Sequence, residues 1–564
     1  MFIREKKSKN KLASVIQVVE NHRTGSTTKQ QVLRHVGTGK TSEEICQLKR
    51  LAIVIKNQLE NEAILKRDKP DAEAKFGSIV DHVSVLSKPA LVDISNLIEI
   101  KRQILGIHDI YGYLYNQLGF TNLFTRPQQR EEAAKILREI VLARIACPVS
   151  KRASVALLEE KFAVSLDLDQ VYKMMDKMDD SFYDRIKQRA LSETLKLTGK
   201  KLRVLFYDAT TLYFESFTED ELKQNGYSKD MKFNQPQVLL VLLVTEKGMP
   251  VGYELFPGST FEGHTLLVAL EKLKARYELE EVIFVADRGL LSEDNLVLLE
   301  KNNFKYIVGA RIKNLSKKLQ ASILNGENYQ KSDIQLNAKK KTPEQRIGVF
   351  EIDDHPERRI VVHYSDQRAK KDAYDRSKSI EKLHKKLSKS KDPKALLNNY
   401  GYKKYLSVEG EATLGLNESK IEESARWDGL LGIATNITNM APEALLAHYR
   451  DLWQVEESFR INKHDLKMRP IYHWSPHRVK AHIAISFMAF VCVRHLEYIL
   501  SIRSKKISPE VIRKSLLQVQ ASTLKDNASG RCFLLASSIP EEAKKIYKIT
   551  GIKIPVRAAE FCGA

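Results

Sequence analysis

The sequence predicts an α/β protein: a mixed-sheet core that carries an inserted β-rich, basic segment and follows a mainly helical N-terminal region preceded by a small β unit. Three observations point there. Five apolar runs of strand length (LRVLFYD, QVLLVLLVTE, PVGYELFPG, EEVIFVAD and FKYIVGAR) crowd between Leu202 and Arg311 and alternate with helical pattern, as in a mixed sheet with crossover helices. Residues 127–197 show 3.6-residue periodicity almost without a break. Residues 312–428 turn Lys-rich around a strand pair, after which apolar pattern returns.

In chain order, SVIQVVENHR and KQQVLRHVG alternate apolar and polar residues around a Thr-Gly-Ser turn and predict a hairpin. Helical pattern runs from Ser42 to Lys66, and the whole N-terminal segment is taken as 1–120. A helical subdomain spans 121–198: REEAAKILREIVLARI stops at Cys147-Pro148, and two short helices follow around a turn near Val164–Leu168. That pair suits a plain helical bundle or a helix-turn-helix that contacts DNA. The first part of the core covers 199–311, with a strand ending at Asp208, another ending at Asp287, and helices near Gly263–Tyr277 and Ser292–Lys301. In the insertion, 312–428, RIGVFEIDD and RRIVVHYSD form a strand pair, and Gln367–Lys394 is a basic helical stretch with eleven Lys/Arg against four Asp/Glu. Such a run is either a solvated face or a phosphate-tracking surface. The core resumes over 429–504 with the strand GLLGIATNI, one helix from Tyr449 to Lys463, and a long helix from about Pro476 to Ser504. A less definite tail, 505–564, is a candidate for dimerisation.

Composition narrows the function classes. A chain of 564 residues accommodates several domains, and 43% hydrophobic residues suffice for real cores. A net charge of +21 favours a polyanionic partner. The most apolar run, Ile483–Val493, is too short to span a bilayer, and no membrane partner is expected. Met1-Phe-Ile-Arg opens no secretory h-region. The five cysteines are scattered and include no C-x-x-C pair, which argues against structural zinc or a disulfide framework and for a reduced, cytoplasmic setting.

Chemistry concentrates in carboxylates. Asp208 and Asp287 each close an apolar strand, and ligands of open α/β sheets bind at that edge. YRDLWQVEESFRINK places Tyr449, Glu456 and Lys463 seven residues apart; on one helix that is a single stripe with about 20° of drift per step. Trp453 beside them reads as core packing. Three carboxylates converge only if cations neutralise them. Hard oxygen ligands suit Mg²⁺, and a pair of ions about 3.5–4 Å apart serves in-line phosphoryl displacement.

YDATTLYFES at Asp208, VADRGLLS at Asp287 and YRDLWQVEESFRINK at Glu456 resemble the three signatures of the DDE transposases of bacterial insertion sequences. The branch they resemble has an RNase H-like core, a β-rich insertion before the Glu, and a tyrosine–arginine–glutamate–lysine signature. GMPVGYELFPGSTFEGHTL and DGLLGIATN resemble the same branch, and the likeness covers about 200–500. It implies Asp208, Asp287 and Glu456 as the catalytic, metal-binding triad for two Mg²⁺ ions, with Mn²⁺ able to substitute. It implies Tyr449 and Lys463 as DNA-phosphate contacts. Leu452 stands where the signature expects Arg, with Arg450 and Arg460 nearby as DNA-contact candidates. Glu457 reads as a surface residue pairing with Arg460 or Asn462. Trp427 reads as a core residue on its own, and by resemblance as an aromatic that stacks on a flipped base. Arg288 is a phosphate-contact candidate. The implied activity is cleavage and strand transfer of double-stranded DNA at terminal inverted repeats and at a target, by a homodimer in a synaptic complex on the bacterial nucleoid, with excision through a hairpin. The rival readings are an RNase H-like nuclease without strand transfer and a catalytically silent DNA-binding descendant.

Overall fold

The computed structural model describes residues 2–7, 13–24, 27–39, 41, scattered positions from 44 to 56, 92–125, 127–199, 202–215, 218–226, 234–261, 265–276, 282–290, 292–331, 345–389, 405–409, 413–504, 506–555 and 558–561. Most of the helix expected over Ser42–Lys66 lies outside these residues.

The strands, in chain order, are β1 Phe2–Lys7, β2 Ser14–Thr24, β3 Thr27–Gly39, β4 Leu97–Ile104, β5 Val204–Tyr213, β6 Gln237–Thr245, β7 Pro250–Pro257, β8 Ile283–Ala286, β9 Lys305–Gly309, β10 Gln330–Lys331, β11 Gln345–Ile352, β12 His355–Ser365, β13 Leu406–Glu409, β14 Thr413–Leu416, β15 Leu430–Thr435, β16 Gln520–Asp526, β17 Cys532–Ala536 and β18 Ala558–Phe561. The chain divides into two compact units: Met1–Leu202, Ala209–Phe261 and Gln454–Ala564 form one, and Arg203–Asp208 with Glu262–Trp453 the other. Strand β5 gives its first half to the second unit and its second half to the first.

In the first unit, β1, β2 and β3 make the expected small antiparallel sheet, with one strand more than the hairpin. The helices Pro127–Ala146, Lys151–Phe162, Leu168–Asp176 and Asp180–Thr198 follow. Each of the last three starts on a side-chain cap, Ser150, Asp167 or Asp179, that satisfies an orphan N–H. The far half of β5 is continued by β6 and β7, which pair antiparallel. Every residue of β6 is buried, so both its faces are covered. The axis of this unit is the helix Pro476–Arg503, capped by Ser475 and buried on all sides. Its apolar stretch exceeds the expected Ile483–Val493. By length and composition it could cross a membrane, and 94% of that window is buried inside the protein. Its Arg494 is held internally: it donates to Glu497 at 2.6 Å and to the carbonyls of Gly248 at 2.9 Å and Lys247 at 3.1 Å. The tail 505–564 is better ordered than its pattern suggests, because β16, β17 and β18 find a partner in β4, some 400 positions earlier.

In the second unit the strand order is β10-β11-β12-β15-β9-β8-β5. β5, β8 and β9 run parallel, joined by crossovers through the helices Thr265–Arg276 and Glu293–Lys301. This is the mixed α/β sheet expected. The strand pair β11–β12 extends the same sheet, because β12 pairs with β15 and β15 with β9. The basic helix Asp366–Lys389 forms as expected, and its Leu383 packs on Tyr405 and Leu406 beside the β13–β14 hairpin.

Three expectations need correction. Strand β5 does not stop at Asp208 but runs on to Tyr213; Ala209–Leu212 are buried, and the β-branched Thr210 and Thr211 suit a strand. The segment Tyr449–Lys463 is not one helix. One helix ends at Arg450, Leu452 N–H turns back to Tyr449 O at 3.2 Å, and a new helix runs from Trp453 to Arg460 before a π-turn at Ile461–Asp465. Leu452 is 9% exposed, and the tightened turn brings this apolar side chain inward, so the seven-residue stripe does not exist. Trp453 is 45% exposed rather than core.

Burial holds His473 near pKa 4 and His495 near 3, and drives His482 well below the usual imidazole value. Unfolded histidines titrate near 6.5, so below that pH the unfolded chain binds protons that the folded one refuses. The first unit should therefore lose stability as pH falls from about 6.5 towards 4, by roughly 1.4 kcal/mol per pH unit for each histidine still neutral. Urea midpoints measured across that range check this, and a His473→Gln/His495→Gln variant should show a shallower fall.

Candidate active site

Strand register decides where the two aspartates stand. β5 and β8 pair from Val204↔Ile283 to Phe206↔Val285, so Asp208 and Asp287 are level two residues further on. β8 and β9 pair from Ile283↔Lys305 to Ala286↔Val308, which sets Gly309 level with Asp287. Level residues on neighbouring strands share a face and lie about 4.8 Å apart. Two carboxylates and one bare glycine thus form a row across the sheet. The strands are buried up to this row at Phe206, Tyr207, Val285 and Ala286, whereas Asp208 and Asp287 are half-buried. Asp287 Oδ1 accepts the N–H of Gly289 at 2.7 Å, which fixes one carboxylate oxygen.

Gly309 admits two further groups. A side chain there would collide with Tyr449 Oη and Arg288 Cγ. The missing Cβ lets the phenol and the arginine stem close on the strand end beside Asp287. Arg288 is exposed, and its carbonyl accepts Arg311 Nη2 at 3.2 Å. From Arg288 opens a cavity of about 640 Å³, lined also by Arg311, Lys313, Arg376, Trp427 and Asp428. Trp427 is 7% exposed, as expected for a core residue, yet it forms part of this wall, with Lys313 Nζ 5.8 Å from its ring centroid. Asp428 pairs with Arg376 and holds its guanidinium charged. A space of this size fits a ligand of nucleotide dimensions. Arg450 is half-buried, and its Nη2 donates to His363 Nε2 at 3.3 Å. Burial and the neighbouring Arg450 and Arg368 push the His363 pKa down to about 4 and keep it neutral to accept that bond.

In the other unit, Glu456 is exposed on the Trp453–Arg460 helix, whose Val455, Ser458 and Phe459 are buried. Glu457 faces Arg460 at 3.7 Å and Lys506 at 3.3 Å, the surface pairing expected of it. Arg460 is exposed and also lies 3.5 Å from Asp465. The Lys463 ammonium donates to the hydroxyl of Thr210, two residues after Asp208 in the chain.

Among the described residues no three His, Cys, Asp or Glu side chains form a group able to hold a metal ion. What the second unit's sheet offers is the level pair Asp208 and Asp287. That pair fits Mg²⁺, which takes one or two carboxylates and fills its octahedron with water and substrate phosphate. Gly309, Arg311, Lys313 and Thr210 were not singled out from sequence. The glycine and the cations directly after an apolar strand, in IVGARIK, were the available signal for the first three; Thr210 had none.

The sequence profile of the family described as Transposase DDE domain matches residues 199–492. None of the curated proteins matches the chain in sequence. Among solved structures, a piggyBac transposase synaptic complex with hairpin DNA aligns at 8% identity and a TM-score of 0.37, over 73% of this chain and 76% of that one. A Mos1 transposase paired-end complex with left transposon end aligns at 16% identity and a TM-score of 0.14, over 32% of this chain and 60% of that one. The family assignment rests on the sequence match alone.

A divalent cation held by the aspartate pair should stabilise the folded chain without any DNA present. Millimolar Mg²⁺ or Mn²⁺ should raise the wild-type melting temperature, corresponding to about 2.7 kcal/mol at a hundred times Kd. Asp208→Asn/Asp287→Asn should lose most of that shift. An equal shift in both proteins places the cation elsewhere.

Proposed function

The chain belongs to the DDE transposase family, and on that premise we propose that it binds the terminal inverted repeats of its own mobile element, an insertion sequence, and cuts and joins DNA there in a cation-dependent reaction. The observation that carries this reading is the level pair Asp208 and Asp287 on parallel strands within the matched region. By the family signature, Glu456 is the third carboxylate. Two bound Mg²⁺ ions, or Mn²⁺ in their place, would supply charge neutralisation at the scissile phosphate and a nucleophile at neutral pH.

The chain's own groups do the rest. The aspartates are held rigidly by buried strands, so their geometry is set before DNA arrives. The Tyr449 phenol at Gly309 is placed to donate to a phosphate oxygen beside Asp287. Arg288, exposed at the same strand end, adds a charge-assisted contact. Lys463 contributes a second cation, and its bond to Thr210 orders it in the meantime. Arg460 on the Glu456 helix suits a backbone contact, whereas Arg450 braces Tyr449's helix against His363. The cavity beside Arg288 suits an extrahelical nucleotide stacked on Trp427, with Arg311 and Lys313 countering its phosphate. Excision through a hairpin would require such a place. Two copies of the chain, one at each element end, form the synaptic complex in this reading.

Mg²⁺-dependent nicking of element-end DNA tests the proposal. Wild type should nick at the element boundary and then join the freed 3′-hydroxyl to a target plasmid. Asp208→Ala should lose about 10²–10³-fold in rate, the loss of several kcal/mol of transition-state stabilisation. Equal nicking by both proteins would show that the assigned site is wrong.

A further inference from the structure

The ten residues after the π-turn, Leu466–Ser475, join the Glu456 helix region to the long buried helix of the first unit. They are anchored from within. Leu466, Met468 and Ile471 are buried. Arg144, itself 3% exposed, donates to the carbonyls of Leu466 at 3.4 Å and Lys467 at 3.2 Å. His482 Nε2 lies 3.1 Å from Met468 O. His473 turns inward against His482 and Tyr172. Just beyond, Arg478 clasps Asp176 through two bonds of 2.7 Å, and His477 meets Met175 O at 3.2 Å. On this pinned segment the side chains from Ile471 to Trp474 alternate, and the two large rings that point outward are Tyr472, 61% exposed, and Trp474, 74% exposed. Neither makes a hydrogen bond or ring contact among the described residues.

Two large aromatic side chains displayed on an anchored loop leave apolar surface in water, which folding alone does not favour. Their electrostatic setting indicates what covers them. From Leu466 to Leu496 the sequence holds no Asp or Glu and five Lys or Arg. Arg478 and Lys480 are matched by Asp176 and Asp180 on neighbouring helices. Lys467 is exposed, and the Arg469 guanidinium lies 5.2 Å over the Tyr213 ring. Rings interleaved with cations suit a polyanion that carries flat apolar faces. Paired bases hide those faces within the stack; unpaired ones expose them.

We propose that the Leu466–Ser475 loop is a binding site for unpaired nucleotides, with Tyr472 and Trp474 as stacking platforms and Lys467 as a phosphate contact. The inference rests on the reading of the chain as a DNA-cutting protein, whose reaction generates unpaired ends. The site belongs to the first unit and is distinct from the cavity at Trp427. Lys467 has φ +42°, a conformation glycine adopts more readily, so Lys467→Gly removes the charge without straining the backbone.

The test uses the full chain and a labelled 20-nucleotide oligo(dT). Wild type should bind it with quenching of tryptophan emission, and Trp474→Phe should abolish most of that quenching. Tyr472→Ala/Trp474→Ala should bind at least about tenfold more weakly with an unchanged melting temperature. Lys467→Gly should reduce the salt slope of log affinity by about 0.7. If wild type binds and quenches but the double variant binds equally well, the loop is not the site, while the proposed transposition activity stands. If wild type binds neither the oligonucleotide nor duplex DNA, the functional reading itself fails. If the double variant instead loses self-association in sedimentation with DNA affinity intact, the loop is a contact between copies of the chain and the inference is overturned.

Discussion

The parallel register between β5 and β8 is the constraint on which the site depends. Once Val204 sits opposite Ile283 and Phe206 opposite Val285, the same register carried two residues further sets Asp208 level with Asp287. A one-residue slip would turn one carboxylate to the other face. The register resists slipping because Leu205, Phe206, Phe284 and Val285 are all buried, so no shifted pairing keeps the apolar set covered. The fold thus uses hydrophobic burial to set the positions of both aspartates at one end of the sheet. Gly309, level with Asp287 on β9, extends the same row and opens the space that Tyr449 and Arg288 occupy.

The first unit supplies stability of a different kind. Its long helix buries twenty residues, and Arg494 and Glu497 inside it pair with each other. Buried, unprotonated histidines make this unit sensitive to acid. The same helix anchors the loop that carries Tyr472 and Trp474, so a rigid core and an exposed aromatic surface lie on adjacent stretches of chain. Glu456 and Lys463 precede that loop on a helix and a π-turn.

Much of this was legible in the sequence because the relevant forces are local. Apolar runs bounded by turn residues marked β6, β7, β8, β9 and β15, and the Lys151–Phe162 and Leu168–Asp176 helices were read as a short pair around a turn near Val164–Leu168. Asp208 and Asp287 stood out as carboxylates closing buried runs. What escaped depends on tertiary context. The break at Asp451-Leu452 was hidden because the stretch contains only residues compatible with a helix; burial of Leu452 decides it. Trp453 looked like core by residue type, yet lies nearly half exposed. The continuation of β5 to Tyr213 and the pairing of β4 with β16 come from partners distant in sequence. Arg450 was named a DNA contact from proximity to the signature; its bond to His363 is a long-range fact. The closeness of Trp427 to Arg288 across a cavity is likewise visible only in three dimensions.

In the function proposed, strand register builds a divalent-cation site from Asp208 and Asp287. Replacing Mg²⁺ by Fe²⁺ and generating hydroxyl radicals at the bound ion reads this out directly, since radicals cut the backbone close to where the ion sits. Cuts should cluster at residues 207–209 and 286–289, be lost in Asp287→Asn and be suppressed by excess Mg²⁺. Cuts that fall elsewhere, or that persist unchanged in Asp287→Asn, would contradict it.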